Sequence, residues 1–234
     1  MSTDNNPPAA TLAPDSHDTK RGHAAQNQKL ANDISEAAQT IEKALGNAEI
    51  VTLLTPRGYD ATELQAGLAL QAAAQTAFNA RQVSLGTIEQ AKQARDTAAQ
   101  KAHAEYADYR ITVQAKYTDA ATRKALGASG PMPADLQKFV TGATAAYEAA
   151  QEPPYAAALA KRSFTAARFT AAIADLNALL AADNAYKAAG GEAGADTGER
   201  DAAVAQLNAW MREFRKNAKL ALKKSPAHLA TLNL

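Results

Sequence analysis

The chain has 234 residues, of which 47% are hydrophobic, 21% charged and 61 alanine, and its 25 basic and 24 acidic side chains leave a net charge of +1. The absence of cysteine excludes disulfide frameworks, thiolate metal sites and cysteine nucleophiles. The balanced charge gives no overall attraction to nucleic acid, and alanine at this frequency favours helix.

The amino-terminal segment predicts a disordered tail over residues 1–25. It carries Pro7, Pro8 and Pro14 among small polar residues, which bury too little apolar area to offset the entropy lost on ordering. It lacks the basic and apolar regions of a secretory signal, and no later stretch is long and apolar enough for a bilayer. We therefore expect a cytoplasmic protein.

Apolar periodicity and stop signals predict six helices along the rest of the chain. They cover residues 26–54, 60–85, 87–126, 134–150, 165–188 and 199–224. No run alternates with period two for long enough to indicate a strand. The fold class is therefore all-α, with the helices packed as an elongated antiparallel bundle.

The start of the second predicted helix is the best-specified local feature. Asp60 is a candidate N-cap, Glu63 follows three residues later as in a capping box, and Tyr59 and Leu64 fit a hydrophobic staple. Gly86 is expected to end this helix, and Thr87 to cap the next one.

The carboxy-terminal half is divided by a glycine-rich stretch. Residues 189–198 contain four glycines and predict a flexible connection between the fifth helix, capped by Thr165, and the sixth. The glycines lack the preceding strand and the following Lys-Ser/Thr of a phosphate-binding loop.

A shift of 105 residues places the two halves of the chain in register. Tyr59 then falls on Phe164, Asp60 on Thr165, and the pair Arg95-Asp96 on Arg200-Asp201. This predicts two tandem three-helix repeats, residues 26–127 and 135–234, joined by a linker at 128–134 and related by pseudo-twofold symmetry. Two similar amphipathic hairpins without common origin are the alternative.

Candidate catalytic and metal-binding groups are few. No histidine follows a glutamate by three positions, which excludes a ferritin-like di-metal site, and His103 is expected to face solvent. Ser225 and His228 lie close in sequence but have no orienting acid near them. We predict no catalytic, cofactor-binding or metal-binding residues.

Asp108 and Glu213 occupy equivalent positions in the two halves, each beside an arginine, Arg110 or Arg215. They predict either a duplicated polar site or, more simply, a solvated helix face.

The last helix is strongly basic and supplies the candidate partner surface. Its candidate residues, answered only by Glu213, are Arg212, Arg215, Lys216, Lys219 and Lys223. All of them except Arg215 follow one helical stripe. Basic amphipathic helices bind acidic partners or membrane surfaces, whereas cations at a helix end also complement the helix dipole.

The segment Trp-Met-x-x-Phe-x-x-x-Ala-x-x-Ala-Leu-x-x-x-Pro, from Trp210 to Pro226, resembles the carboxy-terminal signature of an uncharacterised group of bacterial all-helical proteins. Gly58-Tyr59 and the helix that follows resemble that group's upstream element. Residues 228–234 depart from the pattern, because they lack the expected acidic residue and glycine. The resemblance implies a helical bundle and no known activity.

These observations predict a non-catalytic structural or protein-interaction bundle that binds a protein partner or self-associates, without nucleic acid. The alternative is a bundle that binds membrane or lipid surfaces reversibly through its basic last helix. A ligand site between the two repeats is a third hypothesis.

Overall fold

The computed structural model describes the backbone from Ser16 to Leu234 and the side chains from Ala25 onward. The predicted tail up to residue 15 lies outside the described residues. The described chain contains helices and no strand, which confirms the all-α class. The helices are α1 (Ser16–Leu45), α2 (Ala48–Leu54), a 3-10 turn (Thr55–Arg57), α3 (Ala61–Lys116), α4 (Ala120–Ala125), α5 (Leu136–Gln151), α6 (Tyr155–Ala160), α7 (Ala166–Ala221) and α8 (Pro226–Thr231).

The described residues therefore form eight α-helices where six were expected, and two of the predicted breaks are wrong. α3 continues through Gly86, and the Thr87 hydroxyl donates to the Val83 carbonyl within the helix instead of capping a new one. α7 continues through all four glycines of residues 189–198. A glycine inside a helix costs about 1 kcal/mol relative to alanine, a local penalty that the interactions of a long helix can outweigh.

The additional helices are short, and two of them, α2 and α4, begin at a side-chain cap. Asn47 accepts hydrogen bonds from the amides of Glu49 and Ile50 at the start of α2, and Asp119 accepts from Thr122 at the start of α4. α1 begins at Ser16, inside the segment predicted as a tail. The predicted linker, residues 128–134, lies between α4 and α5 and contains no helix.

The chain divides into two compact units. The terminal unit comprises the described residues up to Ala80 and Thr197–Leu234, and the central unit comprises Arg81–Asp196. The terminal unit has a mainly aliphatic core. Its largest fully buried side chains are Ile34, Ile41, Ile50, Leu54, Leu64 and Phe214.

The central unit has an aromatic core. Its rings meet mostly edge to face, with centroids 5.1–6.0 Å apart, an arrangement that aromatic quadrupoles favour. The rings belong to Tyr106, Tyr109, Phe139, Tyr147, Phe164 and Phe169. The Tyr109 hydroxyl lies 3.0 Å from the Leu126 carbonyl oxygen and 3.1 Å from that of Ala146, so this buried polar group is satisfied.

Local geometry recurs along the chain at the offset that the sequence indicates. α3 and α7 each contain 56 residues and begin 105 residues apart, at Ala61 and Ala166. Each follows a turn with a left-handed residue, Gly58 at φ 84° and Ser163 at φ 69°. Pseudo-twofold symmetry between the repeats stays a prediction.

Candidate binding face on the last long helix

One side of the carboxy-terminal end of α7 is buried in the core of the terminal unit. Leu207, Met211, Phe214 and Ala218, which the seven-residue periodicity of this helix predicts as its apolar stripe together with Val204 and Ala221, are buried there, and so is Leu222. Val204 and Ala221 are half-buried. These residues recur every three or four positions, so the opposite side of α7 is left to solvent.

Trp210 anchors the same helix against the start of α3. Its indole Nε1 donates to a Glu63 carboxylate oxygen at 2.7 Å, and its ring stacks on Phe214 with centroids 5.2 Å apart. Asp60 caps α3 as predicted, since it accepts from the Glu63 amide at 2.9 Å. The Glu63 side chain makes the Trp210 contact, which the capping-box prediction did not include.

Four cations occupy the solvent side of α7 and of the turn that follows it. Arg212, Lys216, Lys219 and Lys223 are all exposed, and we call them the basic face. At 100° per residue, the three that lie on α7 itself, Arg212, Lys216 and Lys219, fall within about 60° of one another around the helix axis, and Lys223 lies in the turn that follows Ala221. None of the four forms an ion pair with a carboxylate of the described residues.

Arg215, the fifth predicted residue, is turned away from this face. Its guanidinium points toward α1 and pairs with Glu36 at 2.9 Å. It sits about 40° or more around the helix axis from each member of the basic face. The sequence alone placed Arg215 with the other four residues, because Glu36 lies far away in the chain and local spacing does not reveal the pair.

The equivalent positions in the central unit are uncharged. The residues 105 positions before the basic face are Ala107, Ile111, Gln114 and Thr118. Ile111, which corresponds to Lys216, is 65% exposed. The long helix α3 therefore ends without four cations at these positions. Since α3 needs no such set to complement its dipole, dipole complementation alone does not explain the basic face of α7.

The side chains at the predicted duplicated polar site have different partners in the two units. In the central unit, Asp108 and Glu105 both accept from Arg168, whose guanidinium lies 3.8 Å from the Phe164 ring centroid. The hydrogen bond to Glu105 raises the pKa of the Arg168 guanidinium. At the position equivalent to Arg168 the terminal unit has Glu63, so the two polar contacts differ chemically.

The folded chain brings the carboxylate of Glu49 next to His228, which the sequence pairs with Ser225. Glu49 lies 3.3 Å from His228 Nε2, so the expectation that no acid stands nearby is wrong. These three residues line a groove of about 450 Å³ together with Ala48, Thr52 and Leu53. It is the Nε2 atom of His228 that approaches Glu49. The Ser225 side chain makes no capping hydrogen bond at the start of α8.

His103 is half-buried, which corrects the expectation that it faces solvent. Its ring stacks on Phe139 with centroids 4.0 Å apart, and Nδ1 lies 3.0 Å from Met132 Sδ. Within the part of the chain that the structure describes, no three His, Asp or Glu side chains are grouped to hold a metal ion. His17 and His23 lie outside the described side chains.

No helix among the described residues is both long enough and apolar enough to cross a bilayer.

No protein-family model matches the chain, and no curated protein or solved structure is significantly similar to it. The resemblance carried by Trp210–Pro226 therefore stays a prediction.

Proposed function

We propose that this chain is a non-catalytic interaction protein whose basic face binds an acidic macromolecular surface. The observation that carries the proposal is the contrast between the ends of α7 and α3, compared at the 105-residue offset. One presents four aligned, exposed cations that no carboxylate of the described chain pairs with, and the other presents no cation at the same positions. Exposed charges of this kind add little to folding stability, so their alignment is better explained by what they meet outside the chain.

The basic face is preorganised for binding. α7 is held by Phe214 and Ala218, both fully buried, and by the Trp210–Glu63 hydrogen bond. The backbone that carries the cations is therefore already ordered, and only side-chain freedom is lost when a partner docks.

Two variants with equal net charge test the proposal. The basic-face variant carries R212Q, K216Q, K219Q and K223Q, and the control variant carries K92Q, K124Q, K138Q and K161Q on exposed positions of the central unit. Each removes four charges, which takes the net charge from +1 to −3 (1 − 4). Non-specific effects of net charge are therefore the same in both.

The probe is immobilised poly-L-glutamate at low ionic strength. We expect the wild-type chain and the control variant to bind it in a salt-dependent way. The basic-face variant should lose at least about fourfold in affinity, since four exposed charge pairs contribute about 0.2–1 kcal/mol each. Equal losses in both variants, or no binding by the wild-type chain, would contradict the proposal.

Binding to an anionic membrane is the second candidate, favoured by Leu220. This residue is 50% exposed and follows Lys219 directly on the side of α7 next to the basic face. Co-sedimentation with phosphatidylcholine vesicles, with and without phosphatidylserine, separates this candidate from a protein partner.

Self-association is a further form of partner binding, supported by Val83, which is 70% exposed on α3. Light scattering of the wild-type chain and of V83K measures it directly. A monomeric mass at all concentrations would exclude self-association, and the proposed partner would then be another protein.

A further inference from the structure

A histidine and a methionine meet in the central unit. His103 Nδ1 lies 3.0 Å from Met132 Sδ, and both side chains are half-buried. The other two described residues of these types have different neighbours, since His228 contacts Glu49 and Met211 is buried in the core of the terminal unit. The described chain therefore brings one imidazole nitrogen and one thioether sulfur together, and both atoms can donate a lone pair.

The imidazole ring of this pair is held in place by an aromatic neighbour. His103 stacks on the buried ring of Phe139, with centroids 4.0 Å apart and ring planes 18° apart. His103 belongs to α3 and Phe139 to α5, so the packing of two helices fixes the orientation of the imidazole. The stacking limits rotation of the ring, and Nδ1 stays directed at the methionine sulfur.

The segment that carries Met132 is ordered as well. Pro131 and Pro133 flank this residue, and their rings restrict the backbone on both sides of it. Just before them, Arg110 of α3 donates a hydrogen bond to the Gly130 carbonyl. The sulfur is therefore presented from a restrained backbone, by an unbranched side chain that can still adjust its position.

We infer that His103 and Met132 form a binding site for Cu(I), with Nδ1 and Sδ as the two protein ligands. Thioether sulfur is a soft ligand that selects Cu(I), and imidazole also suits copper, whereas Mg²⁺ and Ca²⁺ take oxygen ligands. Bonds of the lengths found at zinc, about 2.0 Å to nitrogen and 2.3 Å to sulfur, place the two donors about 3.7 Å apart in trigonal geometry. The sulfur must therefore retreat by about 0.7 Å, which the rotatable bonds of Met132 permit.

Without a metal, the same contact is a weak hydrogen bond. A thioether is a poor acceptor, so a metal ion displaces little when it enters between the two atoms. The protein supplies two donors where a structural zinc site supplies four, and we therefore expect an ion that exchanges readily. The site uses no residue of the basic face, so this inference does not depend on the proposed function.

The methyl signals of methionine in nuclear magnetic resonance test the inference on the full-length chain. The chain has three methionines, and M132L and M211L assign their signals. The probes are Cu(I) under nitrogen and Ag(I), which shares its preference for soft ligands and is stable in air, with Zn(II) for contrast. H103Q removes the imidazole of the site, and H228Q is the matched control because it removes the other described imidazole. The ring signals of His103 in the wild-type chain give a second measurement that needs no variant.

We expect one equivalent of Cu(I) or Ag(I) to shift the Met132 methyl signal and the His103 ring signals together, while the Met211 signal stays in place. H103Q should weaken this binding by at least about tenfold, because loss of a ligand costs at least as much as loss of a group that orients one. H228Q and the basic-face variant should bind as the wild-type chain does, and Zn(II) should not shift the Met132 signal.

The inference is overturned by equal shifts of the Met132 and Met211 signals, or by a Met132 signal that does not respond to Ag(I) and Cu(I). Unchanged binding in H103Q, or an equal response to Zn(II), would overturn it as well.

Discussion

Trp210 lies directly against Gly67, in the space that a side chain at position 67 would need. A Cβ atom on Gly67 would come 2.4 Å from Cη2 and 2.6 Å from Cζ2 of the indole ring. The ring is also held by its stacking on Phe214 and by the hydrogen bond to Glu63, which limit its movement. Glycine here is a packing requirement, although the residue sits inside a helix.

We predict that Gly67→Ala destabilises the chain. Its helix propensity would improve by about 1 kcal/mol, but overpacking costs typically 1–3 kcal/mol, so the net change is a loss. Urea unfolding followed by circular dichroism measures it. Gly86→Ala, on the same helix, is the matched control and should be neutral or stabilising, because an added Cβ there would meet nothing within 4 Å. If both variants gained stability equally, Trp210 would not occupy this space.

Replacing the glycines within α7 by alanine should increase the stability of the chain. Gly190, Gly191, Gly194 and Gly198 are helical and exposed or half-buried, and a Cβ on any of them would meet nothing within 4 Å. Each single change to alanine is expected to raise the free energy of unfolding by up to about 1 kcal/mol. The measurement is the urea midpoint at constant slope.

Gly127→Ala is the opposite control for this series. Gly127 has a φ of 65°, and an added Cβ would lie 2.7 Å from Ala146 Cβ, so the substitution should destabilise. No change of stability in the α7 series would instead mean that residues 189–198 form the flexible connection that the sequence predicted.

Tyr109 should make the chain sensitive to high pH. Burial raises the pKa of its phenol above the ordinary 10.0, with smaller contributions from Tyr106 and Tyr117. Above pH 10 the unfolded chain releases this proton while the folded chain retains it, so the free energy of unfolding falls as the pH rises. The contribution is fully present below the unfolded pKa.

Tyr109→Phe separates this effect from general alkaline denaturation. The variant loses the hydrogen bonds to the Leu126 and Ala146 carbonyls, which lowers stability at neutral pH by about 1–2 kcal/mol. Its stability should then decline less than that of the wild-type chain between pH 8 and pH 11. Equal declines would show that Tyr109 does not contribute to the pH dependence.

Glu63 is expected to stabilise the chain through Trp210. Removing the carboxylate in Glu63→Leu leaves the indole N–H without its acceptor, and a loss of about 1 kcal/mol is expected because the pair is partly exposed. Glu63→Gln retains an acceptor and should recover most of the stability. If Glu63→Gln were as destabilised as Glu63→Leu, the negative charge at the start of α3 would be the contributing feature.

Local signals predicted a large part of this fold. The caps Asp60 and Thr165 accept hydrogen bonds from the amides of Glu63 and Arg168 as expected. Of the predicted stripe Ala99, Ala102, Tyr106, Tyr109 and Val113, all but the half-buried Ala99 are buried. These features depend on residues within one or two helical turns of each other, which is the range over which sequence periodicity carries information.

The sequence by itself determined that the chain is helical, where its apolar stripes lie and that its last long helix has a basic side. Only tertiary structure decided that α3 and α7 run unbroken through their glycines, since packing between distant segments outweighs a local propensity penalty. It also decided that Arg215 turns to Glu36 and that Glu49 reaches His228, because partners 179 residues apart in the chain have no signature in local spacing. Four residues of the predicted partner surface form no ion pair with a carboxylate of the described residues. They are Arg212, Lys216, Lys219 and Lys223.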